Sequence, residues 1–305
     1  MPRVSVLLPN YNYARFLKER IRSILNQTWT DFELLYIDDA STDNSNRIAE
    51  QFSYDPRVRL HLHSENSGGV YHRRMQSIKM ARGEWLWIAE ADDSAHPRFL
   101  ESLLAQADEH PTAGILHSRT ATMDPAGRFV GVGWNAEPIA AKRMENSYFA
   151  SGTEDAVRMT AACFYSTSSA MLMRKSDLVA SGGYDSRLKS AADWDLYLRM
   201  LQRCDAAFLA EPLAYYRSHA QSVTRSTAAR VRAIEDAYCI ASFYRAMCQD
   251  DRFSASDRDM VRRRVGVRLF DIFLDPAAEI PDSLRFAVET IYTVTSDRRL
   301  LRALK

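Results

Sequence analysis

Val4-Ser5-Val6-Leu7-Leu8-Pro9-Asn10-Tyr11-Asn12-Tyr13 opens the chain and decides how the rest is read. Val4 to Leu8 is an apolar run broken only by Ser5, and Pro9 closes it. A run this short reads as a buried strand. It falls far below the ~18 continuous apolar residues of a membrane span. It is also too short for the apolar region of a signal peptide. From about Arg15 to Gln27, Phe16, Leu17, Ile21, Ile24 and Leu25 recur at helical spacing. Phe32 to Ile37 is a second strand, and Ser41-Thr42-Asp43 offers N-cap chemistry for a helix through Ile48 and Phe52. Val58 to Leu62 is a third strand. Gly68-Gly69 opens a helix that runs to about Ala81. Trp85 to Ala89 is a fourth strand, and Phe99 to Glu109 a further helix.

Alternation of this kind predicts an α/β fold, with a mostly parallel central sheet and helices on both faces. Ligands of such sheets bind beyond the carboxyl ends of the strands. The residues after each strand are therefore the ones to inspect. They are Pro9-Asn10-Tyr11-Asn12-Tyr13, Asp38-Asp39-Ala40-Ser41, Asn66-Ser67-Gly68-Gly69 and Glu90-Ala91-Asp92-Asp93. Two of these loops place paired carboxylates at one edge. Either pair alone could be a solvated turn. Together they need a cation, an Arg partner or a shared proton. Oxygen-rich clusters open to water suit Mg2+ or Mn2+ shared with substrate phosphates.

The chain has 305 residues, 40 Lys+Arg against 39 Asp+Glu, and a formal net charge of +1. That balance excludes the strongly basic signature of a nucleic-acid partner and the composition of an acidic disordered tail. The length is enough for a real core. Cys163, Cys204, Cys239 and Cys248 form no Cys-x-x-Cys pair, so they read as reduced thiols of a cytoplasmic protein.

Beyond residue 115 the pattern is mixed. Ile115 to Thr122 and Ala170 to Met173 look like strands, and Trp194 to Gln202 is an amphipathic helix. Asp124 to Thr153 has little periodicity and reads as a long loop. After Ser226 the chain turns helical, near residues 231–246, 261–273 and 284–294. The expected division is an α/β domain over 1–225 and a helical extension over 226–305. The basic end Arg298-Arg299-Leu300-Leu301-Arg302-Ala303-Leu304-Lys305 is amphipathic. A peripheral contact at the inner face of a membrane, a homodimer contact and an exposed helix end are the readings it leaves open. The abrupt end also fits a piece of a longer protein.

Val4 to Asn12, Ile37-Asp38-Asp39-Ala40-Ser41-Thr42-Asp43, Glu65 to Gly69, Ala81-Arg82-Gly83-Glu84 and Ala91-Asp92-Asp93 together resemble family 2 glycosyltransferases of the GT-A fold. The likeness resumes at Met171 to Lys175, Gly182-Gly183-Tyr184-Asp185, Asp193-Trp194-Asp195-Leu196 and Tyr216-Arg217-Ser218-His219. The helical tail lies outside it. The resemblance implies transfer of a sugar from a nucleotide-diphosphate donor, of UDP or dTDP type, to a hydroxyl on a glycan, lipid-linked or protein acceptor. It implies inversion, and a divalent Mn2+ or Mg2+ that stabilises the departing diphosphate.

Residue by residue, the resemblance makes Asp93 the metal-binding acid, and Asp92 a ribose contact or an aid to the metal. Glu90 stands where the family has Asp. Asp39 matches the acid that hydrogen-bonds the donor's base. Pro9 and Tyr11 would line base and ribose, though a packing aromatic is the alternative for Tyr11. Arg74 matches the Arg facing the nucleotide. Met75 stands for the family's Asn, and Arg73 reads as a solvated helix residue. Asn66 and Gly68 would let backbone approach the donor closely. Asp193 is the expected base, with Ala192 in place of a Glu; its alternative is a helix N-cap. His219 is expected at the metal or diphosphate, against a plain surface or core His. Arg217 reads equally as a phosphate partner or a structural ion pair. Asp195 reads as structural.

A nucleotidyltransferase would open on a Gly-rich phosphate loop, and a dinucleotide-binding dehydrogenase on Gly-x-Gly-x-x-Gly. The loop at Pro9 to Tyr13 contains no glycine. The departures at Glu90, Met75 and Ala192 keep a second reading open, a catalytically inactive nucleotide-sugar-binding module.

Overall fold

Val4 to Leu8 is buried throughout, and it forms the strand β1 (Val4–Asn10) inside the sheet. A computed structural model describes residues 1–132, 143–219, 227–273 and 280–296 of the chain. By compactness it divides into two units, one built from Met1–Ser151, Phe164–Gly183 and Arg203–His219, the other from Gly152–Cys163, Tyr184–Gln202 and Ala220–Lys305.

The first unit is α/β. Its sheet contains β1, β2 (Phe32–Asp38), β3 (Val58–Leu62), β4 (Trp85–Ile88), β5 (Ser94–Ala95), β6 (Ala113–Met123), β7 (Phe129–Val132), β8 (Tyr148–Ala150), β9 (Met171–Arg174) and β10 (Asp205–Arg217). The order is β3-β2-β1-β4-β9-β6-β10-β5, with β7 beside β6 and β8 beside β10. The half from β3 to β4 is parallel throughout. Beyond it the sheet is mixed: β9 runs antiparallel to both β4 and β6, while β6 and β10 are parallel over most of their length. The mostly parallel expectation thus holds for the N-terminal half.

Among the described residues the helices α1 (Ala14–Leu25), α2 (Ser45–Glu50), α3 (Val70–Met80), α4 (Phe99–Glu109) and α5 (Lys175–Ala180) belong with this sheet. The buried side of α1 is Phe16, Leu17, Arg20, Ile21 and Ile24, the expected apolar stripe with an arginine in its register. The core joins Val4, Val6 and Leu8 with Leu34, Tyr36, Trp85, Trp87, Phe99 and Leu103. The chain winds from β1 to β2 and β3 on one side, then returns to β4 on the other. The switch point therefore lies between β1 and β4, where doubly wound sheets bind ligands.

The Ala81-Arg82-Gly83-Glu84 turn belongs to the opposite end of the strands and is structural. The amides of Arg82 and Gly83 donate to Glu33 Oε1 (2.8 Å) and Ser5 Oγ (2.8 Å). Burial opposes charge on Glu33, yet hydrogen bonds from Ser5, the Arg82 amide and the Arg59 and Arg82 guanidiniums hold its carboxyl below the usual range. A Cβ at position 83 would sit 2.5 Å from the Ser5 amide nitrogen and 2.6 Å from the Val4 carbonyl carbon. Both are backbone atoms of a central strand. Gly83→Ala is therefore expected to destabilise the fold by about 1–3 kcal/mol. Thermal unfolding checks this; an unchanged midpoint would refute the close approach.

The described start of the Asp124–Thr153 stretch forms a turn and a strand rather than a loop. Asp124 Oδ1 accepts from the amides of Ala126 and Arg128 at 2.9 Å, and Gly127 takes φ +82°. This turn feeds β7 back along β6. The signal was present as Asp124-Pro125-Ala126-Gly127, which is turn chemistry.

The second unit is helical. It contains the helices Gly152–Met159, Ala192–Met200, Ala229–Met247, Ala255–Phe273 and Arg285–Thr295. Arg264 Nη1 donates to Thr160 Oγ1 (2.6 Å), and Arg268 Nη2 to the Ala161 carbonyl (3.0 Å). Residues 152–163 and 184–202 thus group with the C-terminal helices instead of with the sheet. The expected boundary at 225 falls within 220–226, and the basic end 298–305 after 296; both lie outside the described residues. No helix among the described residues is long and apolar enough to cross a membrane.

Candidate active site

The loops after β1 and β2 are stitched together by one buried acid. Asp38 is fully buried and accepts from Asn10 Nδ2 (2.9 Å), the Tyr36 hydroxyl (2.9 Å), the Ser41 amide (2.8 Å) and Ser41 Oγ (2.6 Å). These bonds hold Ala40 at φ +63°, a conformation a Cβ-bearing residue rarely takes. Asn12, at φ +60°, accepts the Thr42 amide at 2.7 Å and locks the two loops together. Asp38 is a brace. The strained turn after it presents its neighbour, Asp39.

Asp39 reaches toward the loop after β3. It accepts the Ser67 amide (2.9 Å), Ser67 Oγ (2.8 Å) and Arg73 Nε (2.6 Å). Burial opposes its charge, but the bonds from Arg73 and Ser67 prevail and hold the carboxyl below its usual range. Arg73, read from sequence as solvated, is a partner of this acid. Asn66 Nδ2 donates to the Asp39 carbonyl at 3.0 Å, and Asn66 Oδ1 accepts the Gly68 amide at 2.8 Å. Gly68 takes φ +77° with open space where a Cβ would stand. Its glycine serves the backbone and leaves the loop bare. Pro9 is half-buried at the end of β1, and Tyr11 beyond it is exposed.

The loop after β4 holds the remaining acids, and its neighbours turn them in different directions. Glu90 pairs with Arg74, which stacks over the Tyr71 ring at 5.2 Å. Asp93 is turned inward, with 2 % exposure; it accepts the Arg217 amide at 3.0 Å and faces Thr167 Oγ1 at 3.4 Å. Asp92 is turned to His219, with Oδ2 2.8 Å from Nε2. His219 Nδ1 lies 3.4 Å from Arg15 Nη2. A guanidinium only donates, so the ring proton is assigned to Nε2, toward Asp92. The rings of Phe16 (5.2 Å) and Tyr13 (5.9 Å) flank the imidazole.

Arginines balance these acids from below. Arg20 is fully buried over the Trp87 ring at 4.9 Å, with Nη2 3.3 Å from Ser169 Oγ. Burial lowers its pKa to about 10 against the pull of Asp93, Glu90 and Asp92, so it stays charged at neutral pH. Arg217 donates through Nε to the Asp92 carbonyl (2.7 Å) and pairs with Glu19 (2.7 Å). The ion pair read for Arg217 is present. Even so, burial pushes the carboxyls of Asp92 and Asp93 upward; Glu90 adds to the first and Asp92 to the second.

Whether these groups fit a divalent cation follows from that imbalance. Among the described residues no group of three or more His, Cys, Asp or Glu side chains is arranged to hold a metal. Asp92 offers a carboxylate oxygen, and His219 would offer Nε2 once a cation takes the place of the proton directed at Asp92. Mg2+ and Mn2+ commonly take one or two protein groups and complete their shell with water and substrate phosphates. Such a pair matches that pattern, and the adjacent Asp93 is buried with its carboxyl accepting the Arg217 amide.

Met75 packs over Gly183: a Cβ there, at φ +72°, would meet Met75 Cε at 2.5 Å. The thioether replaces a polar side chain by filling the bare face of the Gly182-Gly183 turn. Arg20 is the group that sequence reading missed. Its signal was its register with Phe16, Leu17, Ile21 and Ile24 on the buried stripe of α1. Asp193 lies in the first turn of the Ala192–Met200 helix, half-buried, in the second unit. Asp195 on the same helix pairs with Arg199 at 2.6 Å, a structural partner as expected.

The profile described as Glycosyl transferase family 2 matches residues 5–178. The glycosyltransferase GlyG of Streptococcus pneumoniae is 39% identical over 107 residues, covering 35% of this chain and 35% of that protein. The chain thus spans about a third of that relative's length. Among solved structures, Staphylococcus aureus TarS 1-349 in complex with UDP-GlcNAc superposes with a TM-score of 0.72 at 17% identity, covering 99% of this chain and 83% of that one. The Pyrobaculum calidifontis mannosyltransferase PcManGT, in complex with GDP-Man and Mn2+, gives 0.58 at 14% identity over 99% and 85%. These structural likenesses show the fold.

Proposed function

The chain belongs to glycosyl transferase family 2, and from that premise we propose that it is a metal-dependent, inverting glycosyltransferase. It takes a sugar from a nucleoside-diphosphate donor of UDP or dTDP type and places it on a hydroxyl of a glycan, lipid-linked or protein acceptor. The observation that carries this reading is the Asp92–His219 pair beside the β1/β4 switch point, with Asp39 presented by the strained turn next to it.

Asp39 receives the N–H of the donor's base through the lone pairs its protein partners leave open. Pro9 and Tyr11 line the base and ribose, and the Asn66–Gly68 backbone admits the donor closely. Arg74, drawn in by Glu90, supports the nucleotide side of the acidic loop. Asp92 and His219 would hold the cation; bound there, it stabilises the charge that develops on the leaving diphosphate. Asp93 is assigned to the loop's framework, a change from its expected role as the metal acid. Asp193 takes the proton of the acceptor hydroxyl as that oxygen attacks the anomeric carbon. The bond from that carbon to the diphosphate breaks with its electrons on oxygen, and the configuration inverts.

A thermal-shift panel of UDP-, dTDP- and GDP-sugars with and without Mn2+ tests the proposal, followed by an assay of nucleoside diphosphate release. A ligand at 100 times its Kd stabilises by about 2.7 kcal/mol. The expected result is a Mn2+-dependent shift with one donor class, followed by release of its diphosphate. Binding without turnover on any acceptor would instead favour an inactive binding module. Asp39→Ala is expected to weaken UDP affinity by about 1–3 kcal/mol, the scale of a hydrogen bond to a charged group. Titration calorimetry with UDP reads this, and unchanged affinity would remove Asp39 from the base site.

A further inference from the structure

Glu235 lies on the buried face of the Ala229–Met247 helix and is fully buried. A carboxylate out of water must be paired or saturated with hydrogen bonds. Glu235 is saturated by a single stretch of backbone. Its Oε1 accepts the Lys189 amide at 2.8 Å. Its Oε2 accepts the Ser190 amide (2.8 Å), Ser190 Oγ (2.9 Å) and the Ala191 amide (3.0 Å).

Those amides lead directly into the Ala192–Met200 helix, whose N-cap residue is Ala191. Alanine has no oxygen with which to cap, and Ala191 makes no side-chain cap bond. Serine, threonine, asparagine or aspartate normally does this work from within the segment. Here a carboxylate from a distant helix arrests the three residues ahead of the first turn. A negative charge at that end also complements the helix dipole. The first turn carries Asp193.

We propose that Glu235 is a positioning residue for sugar transfer: by gripping residues 189–191 it fixes the start of the helix that carries Asp193. This rests on the reading of Asp193 as the base. It gives the C-terminal helices, which lie beyond the matched residues 5–178, a part in the chemistry. The donor loops are built in the first unit, and Glu235 in the second, so donor affinity should not depend on it.

The test uses the full chain with Mn2+ and UDP-GlcNAc, or the panel donor that turns over. In Glu235→Gln one acceptor oxygen becomes an amide that presents hydrogens to the backbone N–H groups. Misplacement by about 1 Å can cost about 100-fold in rate. The expected result is a kcat lower by about that factor, with donor KM within about twofold and UDP binding stoichiometry still near one. The stoichiometry separates mispositioning from loss of folded protein. Amides 189–194 should also exchange faster with solvent. A kcat within about threefold of wild type would overturn the proposal. If Glu235→Gln yields no folded protein, Ser190→Ala, which removes one of the four bonds, should lower kcat severalfold at unchanged KM; a wild-type kcat there overturns it equally. Asp193→Asn is measured alongside. If that variant keeps wild-type turnover, the reading of the base fails, and with it the proposal. If it loses turnover while Glu235→Gln does not, only the positioning role fails.

Discussion

Asp92→Asn is expected to remove metal-stimulated turnover while leaving a folded protein. The carboxylate of Asp92 is the acid of its loop that faces His219. Its neighbours point elsewhere, Glu90 to Arg74 and Asp93 to the Arg217 amide. An amide keeps the shape but cannot supply the charge a divalent cation needs. Stabilisation of a leaving oxygen by such a cation amounts to several kcal/mol, and each 1.36 kcal/mol is tenfold in rate. Turnover should therefore fall by about 10³-fold, and Mn2+ should no longer raise donor affinity. Asp93→Asn is the informative contrast. It disturbs a buried acceptor of a backbone N–H, so its main effect should be a lower unfolding temperature. Metal-dependent kinetics and Mn2+ titration of both variants decide between the two acids. If Asp93→Asn abolishes Mn2+ dependence and Asp92→Asn keeps it, the metal role returns to Asp93.

Asp193→Asn should retain donor and Mn2+ binding and lose transfer. Removing a positioned general base costs typically 10²–10⁴-fold. Ala191, not residue 193, is the N-cap of this helix, and asparagine keeps the shape of the side chain in the first turn, so a purely structural role would leave kcat near wild type. The measurement is kcat beside the calorimetric affinity for UDP. Unchanged affinity with kcat lowered by at least about 100-fold supports the base. Wild-type kcat would mean that another group takes the proton.

Most of the first unit was legible because its signals are local. Val58–Leu62 and Phe99–Glu109 form as read, and Val4–Asn10 and Trp85–Ile88 differ from the reading only at their ends. Buried strands and amphipathic helices carry their period in the chain itself. The strand β10 was not legible: Glu211 and Pro212 interrupt its pattern, and it forms because β6 offers a parallel edge beside it. The role of Arg73 was obscured for a similar reason. Its register on α3 says nothing of Asp39, which lies 34 residues away.

The sequence by itself determined the alternation of strand and helix, the family likeness and the edge at which acids gather. Each of these is written in short-range periodicity or in contiguous motifs. Only the tertiary structure decided which partner each acid meets. Asp92 and Asp93 are adjacent and chemically identical, yet one meets a histidine 127 residues away and the other a backbone amide 124 residues away. Glu235 likewise has no local partner: the amides that saturate it lie 44 to 46 residues away. A carboxylate's function depends on the partner that satisfies it when water is excluded, and that partner is chosen by packing across the fold.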